Sequence, residues 1–232
     1  MIQNNRYNTT ITMRVFLAAA ILVIFSLQIQ GQSSSDMQDV VADIYRLVNN
    51  KDKTKSIYSY WLPFEFWEAI TKGNPQVTEE GLRKMQDDLD GYLILAVLEI
   101  DMSTTPVIYL YGEELRAGIT VETSSAVDLE QLNIFDLPHS TYLRIMSFET
   151  VVSRMFGEIG NYLEFVVFDI SEHKELFNPV REGEFSVKIN DLKATYSYPL
   201  GFLVPKKFCP ITKTSYKGTW NYCPIHGEKL IE

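Results

Sequence analysis

A near-continuous apolar run at residues 92–100, Tyr-Leu-Ile-Leu-Ala-Val-Leu-Glu-Ile, constrains the fold of this chain more than any other feature. A run of this length without polar alternation is typical of a strand that is buried on both faces of a sheet. Residues 163–170 form a second run of the same kind. The sequence therefore predicts a sheet with at least two fully buried strands.

Helices are predicted before the first run and between the two. Asp36 and Thr78 are residue types that cap helix N-termini, and Pro63 is favoured in a first helical turn. Apolar residues recur at helical spacing after Asp36 and again after Ser140. The predicted helices span residues 36–48, 63–73, 78–91 and 140–156.

Five shorter segments have the composition of strands and are separated by turn residues. Asn190-Asp191 is a hairpin turn between the last two of them. These strands are predicted at residues 107–111, 119–122, 127–129, 185–189 and 194–198. The fold class is therefore α+β, with N-terminal helices, an antiparallel sheet or sandwich with an inserted helix, and a small C-terminal knuckle hairpin. The expected regions are a signal peptide at 1–31, an N-terminal helical region at 32–91, a β-rich core domain at 92–205 and the C-terminal hairpin at 206–232.

The first 31 residues have the features of an export signal. They contain no acidic residue, and Arg14 precedes an apolar run of 13 residues at 15–27. That run suits a signal-peptide core and is shorter than the roughly 20 residues that span a bilayer. We expect cleavage between Gly31 and Gln32 and a secreted or periplasmic protein without a membrane span; a retained N-terminal anchor is the alternative.

The charge of the chain limits its partners. The net charge is −9 at pH 7, and it becomes −11 for residues 32–232 because two arginines leave with the signal. Such an acidic chain repels nucleic acid and anionic lipid unless it carries a basic patch. Lys206 and Lys207 are too few to form one. We therefore expect no nucleic acid as partner, and the predicted export favours an envelope protein or an extracellular ligand.

Six aromatic residues lie within ten positions at 58–67. They could form a stacking surface for sugars or peptides. Tyr60, Phe64 and Trp67 stand at helical spacing, which favours the alternative that this segment packs onto the sheet. We expect packing, with Trp61 and Trp67 mostly buried.

The C-terminal tail contains the residues most suited to a site. Cys209-Pro-Ile-Thr212 and Cys223-Pro-Ile-His226 resemble the two knuckles of a zinc ribbon, in which each tight turn holds two Cys or His ligands. Thr212 stands where the first knuckle needs its second ligand. Since the two cysteines belong to an exported chain, we expect a Cys209–Cys223 disulfide first. A zinc site formed by Cys209, Cys223 and His226 is the alternative, and two free thiols are the third.

The whole chain also resembles uncharacterised secreted proteins of Gram-negative bacteria. The resemblance rests on the segment Trp61-Leu-Pro-Phe-Glu-Phe-Trp67 and on the ending Trp220-Asn-Tyr-Cys-Pro-Ile-His-Gly227. It implies export and no particular activity.

No catalytic residue can be assigned from the sequence. It contains no nucleophile elbow, H-E-x-x-H helix, Walker loop or dinucleotide fingerprint. We therefore expect an exported non-catalytic binding or structural module that needs no cofactor. The alternatives are a zinc-binding protein that uses the C-terminal knuckle and a hydrolase with a carboxylate site that sequence patterns do not reveal.

Overall fold

The computed structural model describes residues 34–232, with side chains for 37–152 and 160–232. The predicted signal peptide at 1–31 lies outside the described residues. The fold is α+β with antiparallel sheets, as predicted. The helices are α1 (Ser34–Ile44), α2 (Phe64–Thr71), α3 (Glu79–Leu89), α4 (Glu113–Ala117) and α5 (His139–Phe156). The strands are β1 (Tyr45–Asn49), β2 (Lys55–Trp61), β3 (Tyr92–Asp101), β4 (Ile108–Leu110), β5 (Ile119–Thr123), β6 (Gln131–Leu132), β7 (Glu164–Asp169), β8 (Gly183–Ile189), β9 (Leu192–Tyr198), β10 (Lys207–Phe208) and β11 (Ser215–Tyr216).

The larger sheet is built around the first apolar run. Its strand order is β1-β2-β3-β7-β6, and β4 pairs with the far end of β3. All of these pairs are antiparallel, with Tyr60 opposite Ala96 and Ala96 opposite Phe165. Every residue of β3 from Leu93 to Ile100 is buried. The prediction of a central strand covered on both faces is confirmed.

A smaller sheet of order β5-β8-β9 packs on one face of the larger sheet. Trp61 of β2 contributes to this contact: its ring meets the ring of Phe185 edge-on at 5.0 Å and lies 6.0 Å from the ring of Tyr196. The Tyr196 hydroxyl donates a hydrogen bond to Ser59 Oγ at 2.9 Å. The two sheets thus form a sandwich that is closed by aromatic side chains and one buried hydrogen bond.

Helices α2 and α5 pack against each other and belong to the same hydrophobic core as the sheets. Trp67 of α2 stacks on Phe148 of α5, with ring centroids 3.4 Å apart. Trp61 and Trp67 are each 2% exposed, so the prediction that they are buried is confirmed. In the described part of the chain, no helix is both long enough and apolar enough to cross a membrane.

The hairpin predicted around Asn190-Asp191 is present. β8 and β9 pair antiparallel up to Ile189 and Leu192, and Asn190 has a positive φ of 52°. The Asn190 side-chain amide donates to Glu99 Oε2 at 2.9 Å. This bond gives the buried Glu99 carboxylate a partner and ties the turn of the smaller sheet to the central strand.

Three predictions of local structure are wrong. The helix predicted to reach residue 48 ends at Ile44, because residues 45–49 pair with β2 as a strand. Residues 55–61 form β2, which the sequence interpretation missed within its N-terminal helical region. The strand predicted at 127–129 is absent, and the short strand β6 forms instead at Gln131–Leu132.

The C-terminal hairpin is attached to helix α1 through charged side chains. Lys217 Nζ lies 3.0 Å from Asp43 Oδ1, and Lys206 Nζ lies 3.8 Å from Asp39 Oδ2. Asp43 also accepts a hydrogen bond from the Phe202 backbone N–H at 2.8 Å. Neither pair is fully buried, and surface ion pairs contribute about 0–1 kcal/mol each, so these pairs orient the hairpin more than they stabilise it.

Candidate metal centre

The tail folds as a small hairpin with its own core. β10 pairs with β11, and Phe208 also bridges to Ile231 on its other side. The hydrophobic cluster of the hairpin contains Cys209, Cys223 and Leu230, with Tyr216 packed against it. Since this cluster is very small, packing alone gives the hairpin little stability.

The two knuckles have the same backbone structure at an offset of 14 residues. In the first, the Cys209 N–H donates to the Thr214 carbonyl at 3.0 Å and the Lys213 N–H donates to the Cys209 carbonyl at 2.9 Å. In the second, the Cys223 N–H donates to the Glu228 carbonyl at 2.7 Å and the Gly227 N–H to the Cys223 carbonyl at 2.8 Å. Each turn therefore presents its cysteine in the same way.

Each knuckle also has one residue in the left-handed backbone conformation, at the same position of the turn. Lys213 has a φ of 60° and Gly227 a φ of 69°. Glycine adopts this conformation at no steric cost, whereas a lysine pays roughly 1 kcal/mol or more. The first knuckle therefore keeps its turn although its sequence disfavours it.

The structure brings together the three residues that the sequence proposed as metal ligands. His226 Nδ1 lies 3.4 Å from Cys209 Sγ and 3.5 Å from Cys223 Sγ. All three ligand atoms lie within 4.8 Å of one another. The two cysteines are buried, and His226 is exposed. The cluster therefore lies just beneath the surface.

These distances match a tetrahedral metal site. With Zn–S bonds of about 2.3 Å and Zn–N bonds of about 2.05 Å, a tetrahedral S···N edge is about 3.5–3.6 Å. The two observed sulfur–nitrogen distances are 3.4 and 3.5 Å. Both sulfur–nitrogen edges of the cluster thus have the length that a tetrahedral zinc ion requires.

The surroundings of the cluster favour the thiolate form of the cysteines. Burial raises the pKa of the Cys209 thiol, but hydrogen bonds from the Thr212 backbone N–H and hydroxyl help to lower it to about 6. Burial also raises the pKa of Cys223, and the His226 backbone N–H contributes to a net lowering. The pKa of His226 is raised by the Cys223 sulfur and then by the Cys209 sulfur. Thiolates are the form in which cysteine binds metals.

Cys209 and Cys223 are free in the structure, and their sulfurs are not at disulfide distance. A disulfide requires an S–S separation of about 2.05 Å. The disulfide that we expected first is therefore not present here. The hydrogen-bonded turns hold each sulfur next to the His226 imidazole.

Other candidate groups lie elsewhere. His139 is exposed at the start of α5, and His173 is half-buried. Within the described residues, neither joins the cysteine cluster. A cleft of about 310 Å³ beside α1 includes Asp43 and Arg46 in its wall. Asp43 is the one carboxylate among the residues that line this cleft, and it is already paired with Lys217, so the cleft lacks the two carboxylates of a glycosidase-type site.

Two features of the site were missed by sequence reasoning. The Tyr216 hydroxyl lies 3.7 Å from Cys223 Sγ and contributes to its surroundings. Lys213 takes the backbone position of Gly227. The second feature could have been found by aligning the two Cys-Pro-Ile segments, because their following residues then correspond one to one.

The chain was compared with protein-family models, with curated proteins and with solved structures, and none of the three comparisons found a match. The resemblance to secreted proteins of Gram-negative bacteria therefore stays a prediction.

Proposed function

We propose that the C-terminal hairpin binds one Zn²⁺ ion through Cys209 Sγ, Cys223 Sγ and His226 Nδ1. The observation that carries the proposal is the pair of 3.4 and 3.5 Å sulfur–nitrogen distances, which suit a tetrahedral zinc site. Two thiolates and an imidazole form a ligand set that suits zinc, whereas magnesium and calcium prefer oxygen ligands. The sequence predicts a disulfide with a zinc site as the alternative, and the sulfur–nitrogen distances support the zinc site better.

The metal would stabilise the hairpin. Its core contains Cys209, Cys223 and Leu230, and these are too few residues to hold a fold of this size without a cross-link. Metal binding to such a domain is coupled to its folding, because the unfolded chain has no preformed site. The proposed role of zinc is therefore structural.

Metal analysis together with thiol labelling tests this proposal. Protein purified without added zinc or chelator should contain about one zinc per chain. After unfolding, metal removal and alkylation without reductant, both cysteines should carry a label, because no disulfide protects them. The variant Cys223→Ser should lose the zinc, whereas Ser215→Ala in the same hairpin should keep it. If neither cysteine is labelled, the disulfide hypothesis is supported instead. If both are labelled and the native protein contains no metal, the zinc site is contradicted.

We further propose that the zinc hairpin belongs to an exported, non-catalytic module that binds an envelope protein or an extracellular ligand. Export is supported by the charge and apolar run of residues 1–31. A non-catalytic role is supported by the absence of the catalytic motifs sought in the sequence.

The export part of the proposal makes a direct prediction about the mature protein. Cleavage between Gly31 and Gln32 leaves 201 residues, and the intact mass of the native protein should equal that of residues 32–232, or that mass less one ammonia. A glutamine at the new N-terminus also cyclises readily, with loss of ammonia. Recovery of the full-length chain from a membrane fraction would contradict cleavage.

A further inference from the structure

A tetrahedral zinc ion held by Cys209, Cys223 and His226 has a fourth coordination position. We propose that this position takes a thiolate, from a small-molecule thiol or from a cysteine of a partner protein. This inference rests on the proposed function, because it requires a metal at Cys209, Cys223 and His226.

The equivalence of the knuckles identifies where the fourth ligand is missing. At the offset of 14 residues that relates the two turns, Thr212 corresponds to His226. The Thr212 hydroxyl is 2.9 Å from the Thr214 hydroxyl and is thus engaged within its own turn. Neutral hydroxyl groups are poor zinc ligands beside thiolates and imidazole. The chain therefore supplies three good ligands and leaves one tetrahedral position open.

Within the described residues, no further Cys, His, Asp or Glu side chain joins the cluster. Thr212 and His226 are both exposed, so this side of the cluster is accessible from solvent. Three protein ligands and one accessible position are the arrangement in which zinc accepts an exchangeable ligand. A donor from another molecule can reach the metal from this side.

The charge around the site favours an anionic donor over a neutral one. Zinc with two thiolates and a neutral imidazole carries no net charge. Residues 206–232 contain five lysines and two glutamates, a net charge of +3, whereas residues 32–205 contain 14 basic and 28 acidic residues. Lys213 follows Thr212 directly and is exposed. A thiolate gains from this local positive charge, and sulfur is the softest donor that proteins offer to zinc.

Cobalt substitution tests the inference, because the visible absorption of Co²⁺ reports each change of its ligands. Co²⁺-loaded protein is titrated with 2-mercaptoethanol, and a growing sulfur-to-cobalt absorption is expected while the metal stays with the protein in ultrafiltration. The matched variant Thr212→His supplies the missing ligand. Its affinity for the added thiol should fall by about tenfold or more.

The outcomes separate the two proposals. Wild-type protein that binds no cobalt or zinc contradicts the proposed function. If wild-type protein binds cobalt but its absorption does not change with thiol, only the inference of an open fourth position is overturned. The same holds if the thiol removes the cobalt from the protein. Equal responses of the wild type and Thr212→His also overturn it.

A second arm distinguishes the source of the thiolate. The titration is repeated with a blocked pentapeptide that has a central cysteine between glycines. If the cobalt-loaded protein binds this peptide more tightly than 2-mercaptoethanol, the thiolate comes from a partner protein. Equal affinities point to a small thiol. In both cases Thr212→His should weaken the response.

Discussion

Replacing Trp61 with alanine is expected to lower the free energy of unfolding by about 3–5 kcal/mol, because the change leaves a large cavity between the two sheets. Trp61 is 2% exposed and contacts the rings of Phe185, Tyr196 and Tyr198 from the smaller sheet. The lost contacts join two layers of the fold, so relaxation of a single element cannot fill the space. Urea unfolding followed by circular dichroism measures the change.

Trp220 provides the matched control, because it lies in the C-terminal hairpin and is 43% exposed. Trp220→Ala should change the stability of the sheets by less than about 1 kcal/mol. If Trp61→Ala does not fold, Trp61→Phe keeps an aromatic ring at the site and should show a smaller loss of the same sign. A folded Trp61→Ala with unchanged stability would mean that Trp61 does not join the two sheets.

Removing the metal is expected to unfold the C-terminal hairpin while the sheets stay folded. Apparent binding free energies of structural zinc reach about 10–16 kcal/mol in small zinc domains, which far exceeds what a core of Cys209, Cys223 and Leu230 can replace. The hydrophobic cluster of the sheets is separate from that of the hairpin. Loss of the metal should therefore stay local.

Hydrogen exchange before and after chelation measures this effect. The amides that close the knuckles, those of Cys209, Lys213, Cys223 and Gly227, should exchange more than about 100-fold faster without metal, which corresponds to about 2.7 kcal/mol of local stability. Amides of β3 should keep their protection. In Cys223→Ser the chelator should change nothing. Unchanged knuckle amides in chelated wild-type protein would show that the hairpin folds without metal.

The parts of the fold that were predictable from sequence are those fixed by local chemistry. The apolar run is enough to predict β3. The predicted helix cap at Thr78 is also present, because the Thr78 hydroxyl accepts a hydrogen bond from the Gly81 N–H at 3.1 Å. Strand β2 was not predictable, because its structure depends on a distant partner, and β1 in turn pairs with β2. Tyr60 pairs with Ala96, 36 residues away, and no short window contains that information.

The helical spacing of Tyr60, Phe64 and Trp67 shows how a local pattern can mislead. Tyr60 lies on β2 and the other two on α2, so the three residues do not share one helix face. The conclusion that the segment packs was still right, because Trp61 and Trp67 are buried. Burial of large aromatic residues is predictable from their size even where the element that carries them is not.

The candidate site was predictable as a set of residues but not as a geometry. Cysteine and histidine at knuckle spacing identified Cys209, Cys223 and His226. The choice between a disulfide and a metal depends on the sulfur–sulfur distance, about 2.05 Å in a disulfide and about 3.8 Å on a tetrahedral zinc ion, which spacing along the chain cannot give. The backbone hydrogen bonds of the two turns decide that distance.

The strand order has a consequence for how quickly the protein folds. β3 pairs with β7, whose residues lie about 70 positions further along the chain, and β5 pairs with β8 across a similar separation. Such pairs form only after long loops close, which places folding of the sheets in the range of milliseconds to seconds. The contacts among Cys209, Cys223 and His226 span at most 17 residues. The knuckles can therefore find each other long before the sheets are complete, and the slow, non-local pairing of β3 and β7 sets the rate for the whole chain.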